Sequence, residues 1–213
     1  MQLFQTALLL LVIIVALALA DVTEPKTGIK FADRFGGLGL AGVGVRVKQI
    51  GPLSVKVYGV GMYMDESSAL EEISEYAGGK KADSGFFSRL RKPSIDKKIV
   101  LKMARSVGSE TMSEALAESI KPRMSGDLPA LSSFQTVLLK GLSEDGSAKK
   151  GTELAFDASG GKLNVKINGK SAGDVESSSL CDAFVDTYMD DKGVSPTLRD
   201  SIAETLCAKL PTE

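Results

Sequence analysis

The chain has 213 residues, with 26 Lys and Arg against 27 Asp and Glu for a formal net charge of −1, no histidine and two cysteines. So even a balance gives no global field to draw in nucleic acid, and no nucleic-acid partner is expected. Without histidine or a C-x-x-C pair, histidine triads, histidine–carboxylate zinc sites and zinc knuckles are excluded together, and neither metal nor cofactor is expected.

The first twenty residues, MQLFQTALLLLVIIVALALA, carry no charged side chain. Their apolar run, 7–20, is short for a bilayer span but has the length of a signal-peptide core. Small residues at Ala18 and Ala20 predict cleavage before Asp21. The segment has no Lys or Arg ahead of its apolar run, so an uncleaved N-terminal membrane anchor is the alternative. Export places the protein in a lumenal, secreted or periplasmic setting, or in a plastid reached by the secretory route. Membrane contact is expected only through this segment, if it stays. Residues 21–213 form one domain, with no linker dividing them.

A short strand is expected at 28–31. Next comes GGLGLAGVGVRVKQIGPLSVKVYGVGMYMD at 36–65, in which Gly37, Gly39 and Gly42 have the G-x-G-x-x-G spacing of a dinucleotide loop. Such a loop needs a helix behind it to hold the pyrophosphate. Here Val43, Val45 and Val47 alternate with Gly44, Arg46 and Lys48, which is the period of a strand. The glycines therefore read as sites of bending and close backbone approach. Two strands, 42–49 and 53–64, are joined by Ile50-Gly51-Pro52. If the hairpin turns about Gly51-Pro52, residues whose numbers total 104 face each other, and Arg46 then stands opposite Tyr58.

A short helix is expected at 67–76, stopped by Gly78-Gly79. Residues 79–94 read as irregular, with Phe86-Phe87 tucked inward and the basic run SRLRK at 88–92 as a solvated loop. A strand covers 97–103. Thr111-Met-Ser-Glu114 matches a capping box, opening a helix that runs to Pro122. Leu128, Leu131, Phe134, Val137 and Leu138 mark a second helix that should stop at Gly141. Strands at 152–156 and 162–167 follow, with Asn168-Gly169 turning into a last strand near 173–176. Helices at 179–189 and 196–209 close the chain. They carry Cys181 and Cys207 at similar distances from their connecting turn, so a disulfide and two buried free thiols are both open. Strands joined as hairpins, interrupted and ended by helices, indicate α+β: an antiparallel sheet covered on one face by helices.

Four stretches together resemble the chalcone isomerase family: LAGVGVR at 40–46, VKVYGVGMY at 55–63, MSEALAES at 112–119 and GVSP at 193–196. They occur in the family's order across roughly residues 28–206. The resemblance implies an open-faced β-sandwich, a large antiparallel sheet laid against a layer of helices. Active family members close a chalcone's phenolate onto its enone to give a flavanone, with an arginine of the glycine-rich strand holding an anionic oxygen. Arg46 matches that arginine. A Thr, a Tyr and an Asn complete the isomerase site, and the matching positions here are Tyr58, Met112 and Ser119. All three differ, and Met112 has no hydroxyl to donate. A further polar position at the start of the penultimate helix falls on Ser177 or Ser178. Fatty-acid-binding relatives keep the arginine and pair it with a tyrosine, as Arg46 and Tyr58 would.

Three readings follow. The first is a binding protein for a fatty acid or similar apolar carboxylate, gripped by Arg46 and Tyr58. The second is an isomerase (an intramolecular lyase) acting on a chalcone-like or other phenolic or enone substrate, with Arg46 and Tyr58 as its catalytic candidates. The third is a non-catalytic partner of another protein.

Overall fold

The computed structural model describes residues 21–143 and 146–212; the segment expected to be a signal peptide or anchor, 1–20, lies outside them. The strands are β1 (Val22–Thr23), β2 (Lys30–Phe31), β3 (Arg34–Phe35), β4 (Leu38–Ile50), β5 (Leu53–Met64), β6 (Lys97–Met103), β7 (Val107–Gly108), β8 (Ser147–Ala148), β9 (Glu153–Ser159), β10 (Lys162–Ile167) and β11 (Lys170–Glu176). The helices are α1 (Glu66–Glu72), α2 (Ser84–Leu90), α3 (Ser109–Ile120), α4 (Leu128–Leu142), α5 (Ser178–Met189) and α6 (Pro196–Cys207), with single 3-10 turns at Ser74–Tyr76 and Lys121–Arg123. Among the described residues, no helix is long and apolar enough to cross a membrane.

Seven strands make one antiparallel sheet in the order β11-β10-β9-β6-β5-β4-β3. Along β5, Val60, Met62 and Met64 turn to the helical side and join Ile99, Leu101, Leu154 and Phe156 in the main core. Tyr63 turns the other way, onto a smaller cluster built around Phe31, Leu40, Val43 and Val100. Burial on both faces accounts for the nearly unbroken apolar run of this strand. Above the sheet, α6 lies on β4, α5 on β9 and β10, and α4 on β10 and β11, while α3 packs against α4 and α5.

The glycine-rich stretch is strand throughout, as its period predicts. A Cβ on Gly44 would lie 2.4 Å from the Leu198 backbone nitrogen, and one on Gly42 would lie 2.7 Å from that of Ile202. Their lack of side chains lets α6 sit directly on β4. The helix then caps the outer edge of the strand. Val43 N–H donates to Ser201 Oγ at 3.0 Å, Val45 N–H to Thr197 Oγ1 at 3.1 Å, and Ser195 Oγ to the Val45 carbonyl at 3.0 Å. These hydroxyls satisfy edge groups that no strand pairs. Asn168 and Gly169 both have positive φ, 48° and 78°, as an Asn-Gly hairpin turn requires.

Several expectations differ from the structure. Part of the stretch read as irregular is α2, capped by the Asp83 carboxylate on Phe86 N–H, with Phe86, Phe87 and Leu90 buried. Its basic run is paired: Arg89 with Glu75 at 2.8 Å, Arg91 with Asp186 at 3.0 Å and Lys92 with Glu72 at 2.6 Å. The helix assigned a capping box at Thr111 begins three residues earlier, at Ser109 behind Gly108, which has no capping side chain. Gly141 does not stop α4, which continues through Leu142; it admits Ile167 and Ala172, whose side chains would meet an added Cβ at 2.6 and 2.7 Å. Of the two states left open for the cysteines, the structure has the free thiols, with Cys181 buried but Cys207 only partly so. The helices that bear them follow different strands, β9 and β10 for α5 but β4 for α6. Between β9 and β4 lie β6 and β5, so the supporting strands stand about 14 Å apart at ~4.8 Å per step.

Candidate functional site

Close to the turn, β4 and β5 pair Ile50 with Leu53, Gln49 with Ser54, Lys48 with Val55 and Val47 with Lys56. The next pair is Arg46 with Tyr58, so Val57 is an extra residue in β5. This β-bulge has a chemical consequence. Successive strand residues ordinarily point to opposite faces, but a bulged pair can turn together to the same side. Here Val57 and Tyr58 both line a cavity of about 430 Å³ beside Arg46. The β4–β5 hairpin forms one wall and α3 the other, with residues 105–108 completing the lining.

Arg46 is partly buried on this wall. Its Nη1 donates to the Val194 carbonyl at 3.2 Å, in the loop between α5 and α6. That loop is itself fixed by Arg123, which donates to the Asp190 carboxylate through Nε and Nη2 at 2.7 and 2.9 Å. Among the described residues, no carboxylate forms an ion pair with Arg46. The guanidinium is held in place at one corner and has no ion-pair partner among the described residues.

Tyr58 is buried, and its hydroxyl lies 3.2 Å from that of Tyr188, which is wholly enclosed in the last turn of α5. Only Tyr58 borders the cavity. The arrangement that uses both protons has Tyr188 donating to the Tyr58 oxygen, leaving the Tyr58 O–H to donate into the cavity. Burial raises the Tyr58 pKa above the ordinary phenol range, against opposing effects of the Tyr188 hydrogen bond and the Arg46 charge. Burial, followed by the neighbouring Tyr58, raises Tyr188 still more firmly. Both groups are therefore neutral hydrogen-bond donors at ordinary pH.

The rest of the lining is mainly apolar at depth and polar at the rim. Val57, Val107, Met112, Ala115 and Leu116 line the interior, while Lys48, Arg105, Thr111 and Glu118 are exposed. Glu118 is the one carboxylate in the lining, and among the described residues no group of three or more His, Cys, Asp and Glu is placed to hold a metal ion. Such a chamber suits an elongated apolar molecule with an anionic end, received by two donors from one side.

Of the residues singled out from sequence, Arg46, Tyr58, Met112 and Ser119 come together around this cavity. Met112 is a buried wall residue, and the Ser119 hydroxyl donates to the Ala115 carbonyl at 2.8 Å within its own helix. Ser178 is elsewhere, in a separate hollow of about 70 Å³ with Arg91, Lys97 and Cys181. Ser177 caps α5, accepting from Leu180 N–H at 3.2 Å and donating to Asp127. The start of α5 thus lies away from the cavity, and the helix contributes Tyr188 from its opposite end. Neither Tyr188 nor the Val194 carbonyl stands out in the sequence: Tyr188 follows Phe184 at helical spacing, the pattern of a core stripe.

A family model described as chalcone isomerase-like matches residues 26–202. Over 176 residues the chain is 29% identical to chalcone isomerase-like protein 1 of Humulus lupulus, which covers 78% of this chain and 81% of that one. Over 190 residues it is 25% identical to a chalcone–flavanone isomerase of Oryza sativa subsp. japonica, covering 82% of each. Its fold is similar to the crystal structure of a fatty-acid binding protein of Arabidopsis thaliana, with a TM-score of 0.76 and 23% identity over 89% of this chain and 98% of that one. The family match runs from before β2 into α6, and the curled sheet with its helical layer agrees with it: the chain belongs to the chalcone isomerase-like family.

Proposed function

We propose that the protein binds a fatty acid or a similar apolar carboxylate in the cavity between the β4–β5 hairpin and α3. The observation that carries this reading is Arg46: it has no carboxylate partner among the described residues, and it borders an apolar chamber beside the hydroxyl of Tyr58. A carboxylate there receives a charge-assisted bond from the guanidinium and a second from the phenol. Its alkyl chain would lie along Val57, Val107, Met112 and Leu116. A volume of about 430 Å³ is within the usual range of ligand pockets, about 300–1,000 Å³. The similarity in fold to a fatty-acid binding protein of Arabidopsis thaliana supports the reading. The alternative of flavanone-forming isomerisation finds less support, since Met112 has no proton to give and that of Ser119 is engaged in its own helix.

The test is a calorimetric comparison of saturated fatty acids, lauric to stearic, with the alcohols of equal chain length. Affinity for the acid should exceed that for the alcohol by about 1.5–3 kcal/mol, the worth of a hydrogen bond to a charged group. Equal affinities would remove the anion from the account. For residues 1–20 we propose a cleaved signal peptide. Mature protein from its own host should begin at Asp21, and recovery of Met1 would contradict cleavage.

A further inference from the structure

The β4–β5 hairpin ends in Ile50-Gly51-Pro52-Leu53, and its two large apolar side chains face solvent: Ile50 is 55% exposed and Leu53 66%. They are Cα partners across the turn and form one patch. Leu53 is the most exposed large apolar side chain among the described residues, and it does not line the cavity. The surroundings are basic. Between Leu38 and Met64 the hairpin contains Arg46, Lys48 and Lys56 and no Asp or Glu. Arg105 joins Lys48 at the cavity rim, two cations against the single carboxylate of Glu118, and all three are exposed. Ile50 belongs at once to the apolar tip and to that rim, so the mouth opens beside the patch.

An apolar tip with cations behind it matches the chemistry of an anionic bilayer: the apolar groups enter the headgroup and acyl boundary while Lys and Arg meet acidic headgroups. A folded protein partner would need a larger complementary face than two side chains provide. We propose that the β4–β5 tip docks on an anionic lipid bilayer, inserting Ile50 and Leu53 and placing the cavity mouth against the membrane. Resting on the proposed binding of an apolar carboxylate, the docking has a further consequence: the ligand enters from the bilayer without its alkyl chain crossing water.

The chain contains no tryptophan, so a Leu53→Trp variant of the full chain reports on the tip alone. With vesicles of equimolar phosphatidylcholine and phosphatidylglycerol, its emission should shift to the blue and be quenched by brominated acyl chains. With phosphatidylcholine alone it should do neither. Lys48→Ala combined with Arg105→Ala should weaken partitioning roughly twenty-five-fold, at about a factor of five per charge. Emission that stays unmoved on anionic vesicles overturns the proposal, even if the protein pellets with them through another segment. A blue shift in the absence of vesicles, accompanied by dimerisation in sedimentation, overturns it in favour of a second copy covering the tip. Leu53→Asp separates the two readings. It should abolish vesicle binding while leaving fatty-acid affinity in solution unchanged, whereas loss of the carboxylate preference in solution with an intact membrane signal would strike only the proposed ligand.

Discussion

Arg46 and Tyr58 stand directly opposite each other on β4 and β5 because Val57 is bulged out of the register between them and the turn. Without that extra residue Arg46 would face Val57, and the phenol would belong to the opposite face of the sheet. The bulge thus sets two donors side by side at the end of an apolar chamber. Val57 keeps a bond of its own, accepting from Ala104 N–H at 3.0 Å, so the bulge is tied to the chain just beyond β6.

The two phenols should respond unequally to removal of a hydroxyl. Tyr58→Phe leaves the enclosed Tyr188 O–H with no acceptor and should cost about 1–3 kcal/mol of stability in urea unfolding. Tyr188→Phe leaves Tyr58 free to bond into the cavity and should cost about 1 kcal/mol. The double variant should be no worse than Tyr58→Phe, because the stranded donor is gone. Equal losses that add fully would show that the phenols do not share a proton.

Gly44 tests the contact between β4 and α6. In Gly44→Ala the new methyl would meet the Leu198 nitrogen at 2.4 Å and Ser195 Oγ at 2.6 Å, and a helix backbone cannot rotate aside. Overpacking of this kind costs about 1–3 kcal/mol. Displacing α6 also disturbs the Val194 carbonyl that anchors Arg46, so fatty-acid affinity should fall with stability. A melt unchanged from the parent would mean that α6 rides on β4 more loosely than these distances imply.

The fold is largely legible in the sequence because its signals are local. Strand period, Asn168-Gly169 and the apolar stripe from Leu128 to Leu138 each mark an element without reference to the rest of the chain. The cavity is legible only in part. The opposition of Arg46 and Tyr58 is expected from a turn that pairs residues totalling 104, whereas the turn itself pairs Ile50 with Leu53, and the bulge makes up the difference. Nothing in the composition of β5 marks Val57 as the extra residue. Tyr188 is hidden for another reason: which helix end reaches β5 depends on how α5 crosses the sheet, and its sequence carries no trace of that angle. The state of the cysteines is hidden in the same way, since equal distances from a turn say nothing about helices that lie on different strands.

Lys97 offers a pH test. Its side chain is buried, with Nζ donating to the Lys92 and Ile95 carbonyls at 2.6 and 2.7 Å. Burial lowers its pKa to about 8, against the opposing charges of Asp182 and Asp96. Above that value the folded state binds fewer protons than the unfolded chain, so this group makes stability rise with pH from about 8 towards the ordinary lysine range. Cys181, raised to about 11 chiefly by burial, also contributes from about pH 9 upward, and oppositely, because there the folded state holds the extra proton. The Lys97 contribution should therefore be clearest between about pH 8 and 9. Stability measured there in the parent and in Lys97→Met should diverge in slope, the parent gaining with pH relative to the variant. Parallel curves would show that Lys97 titrates as a solvated amine.

The most direct test of the central claim is palmitic-acid affinity by calorimetry for Arg46→Ala and Arg46→Lys, with melts of the same proteins. Arg46→Ala should weaken binding by about 2–4 kcal/mol, because a charge-assisted contact is lost and the anion is left unpaired. Arg46→Lys should restore only part of this, since an ammonium lacks the planar fork. Stability should fall by about 1 kcal/mol at most, for the single bond to the Val194 carbonyl. An Arg46→Ala protein that melts normally and binds palmitic acid as tightly as the parent would contradict the account.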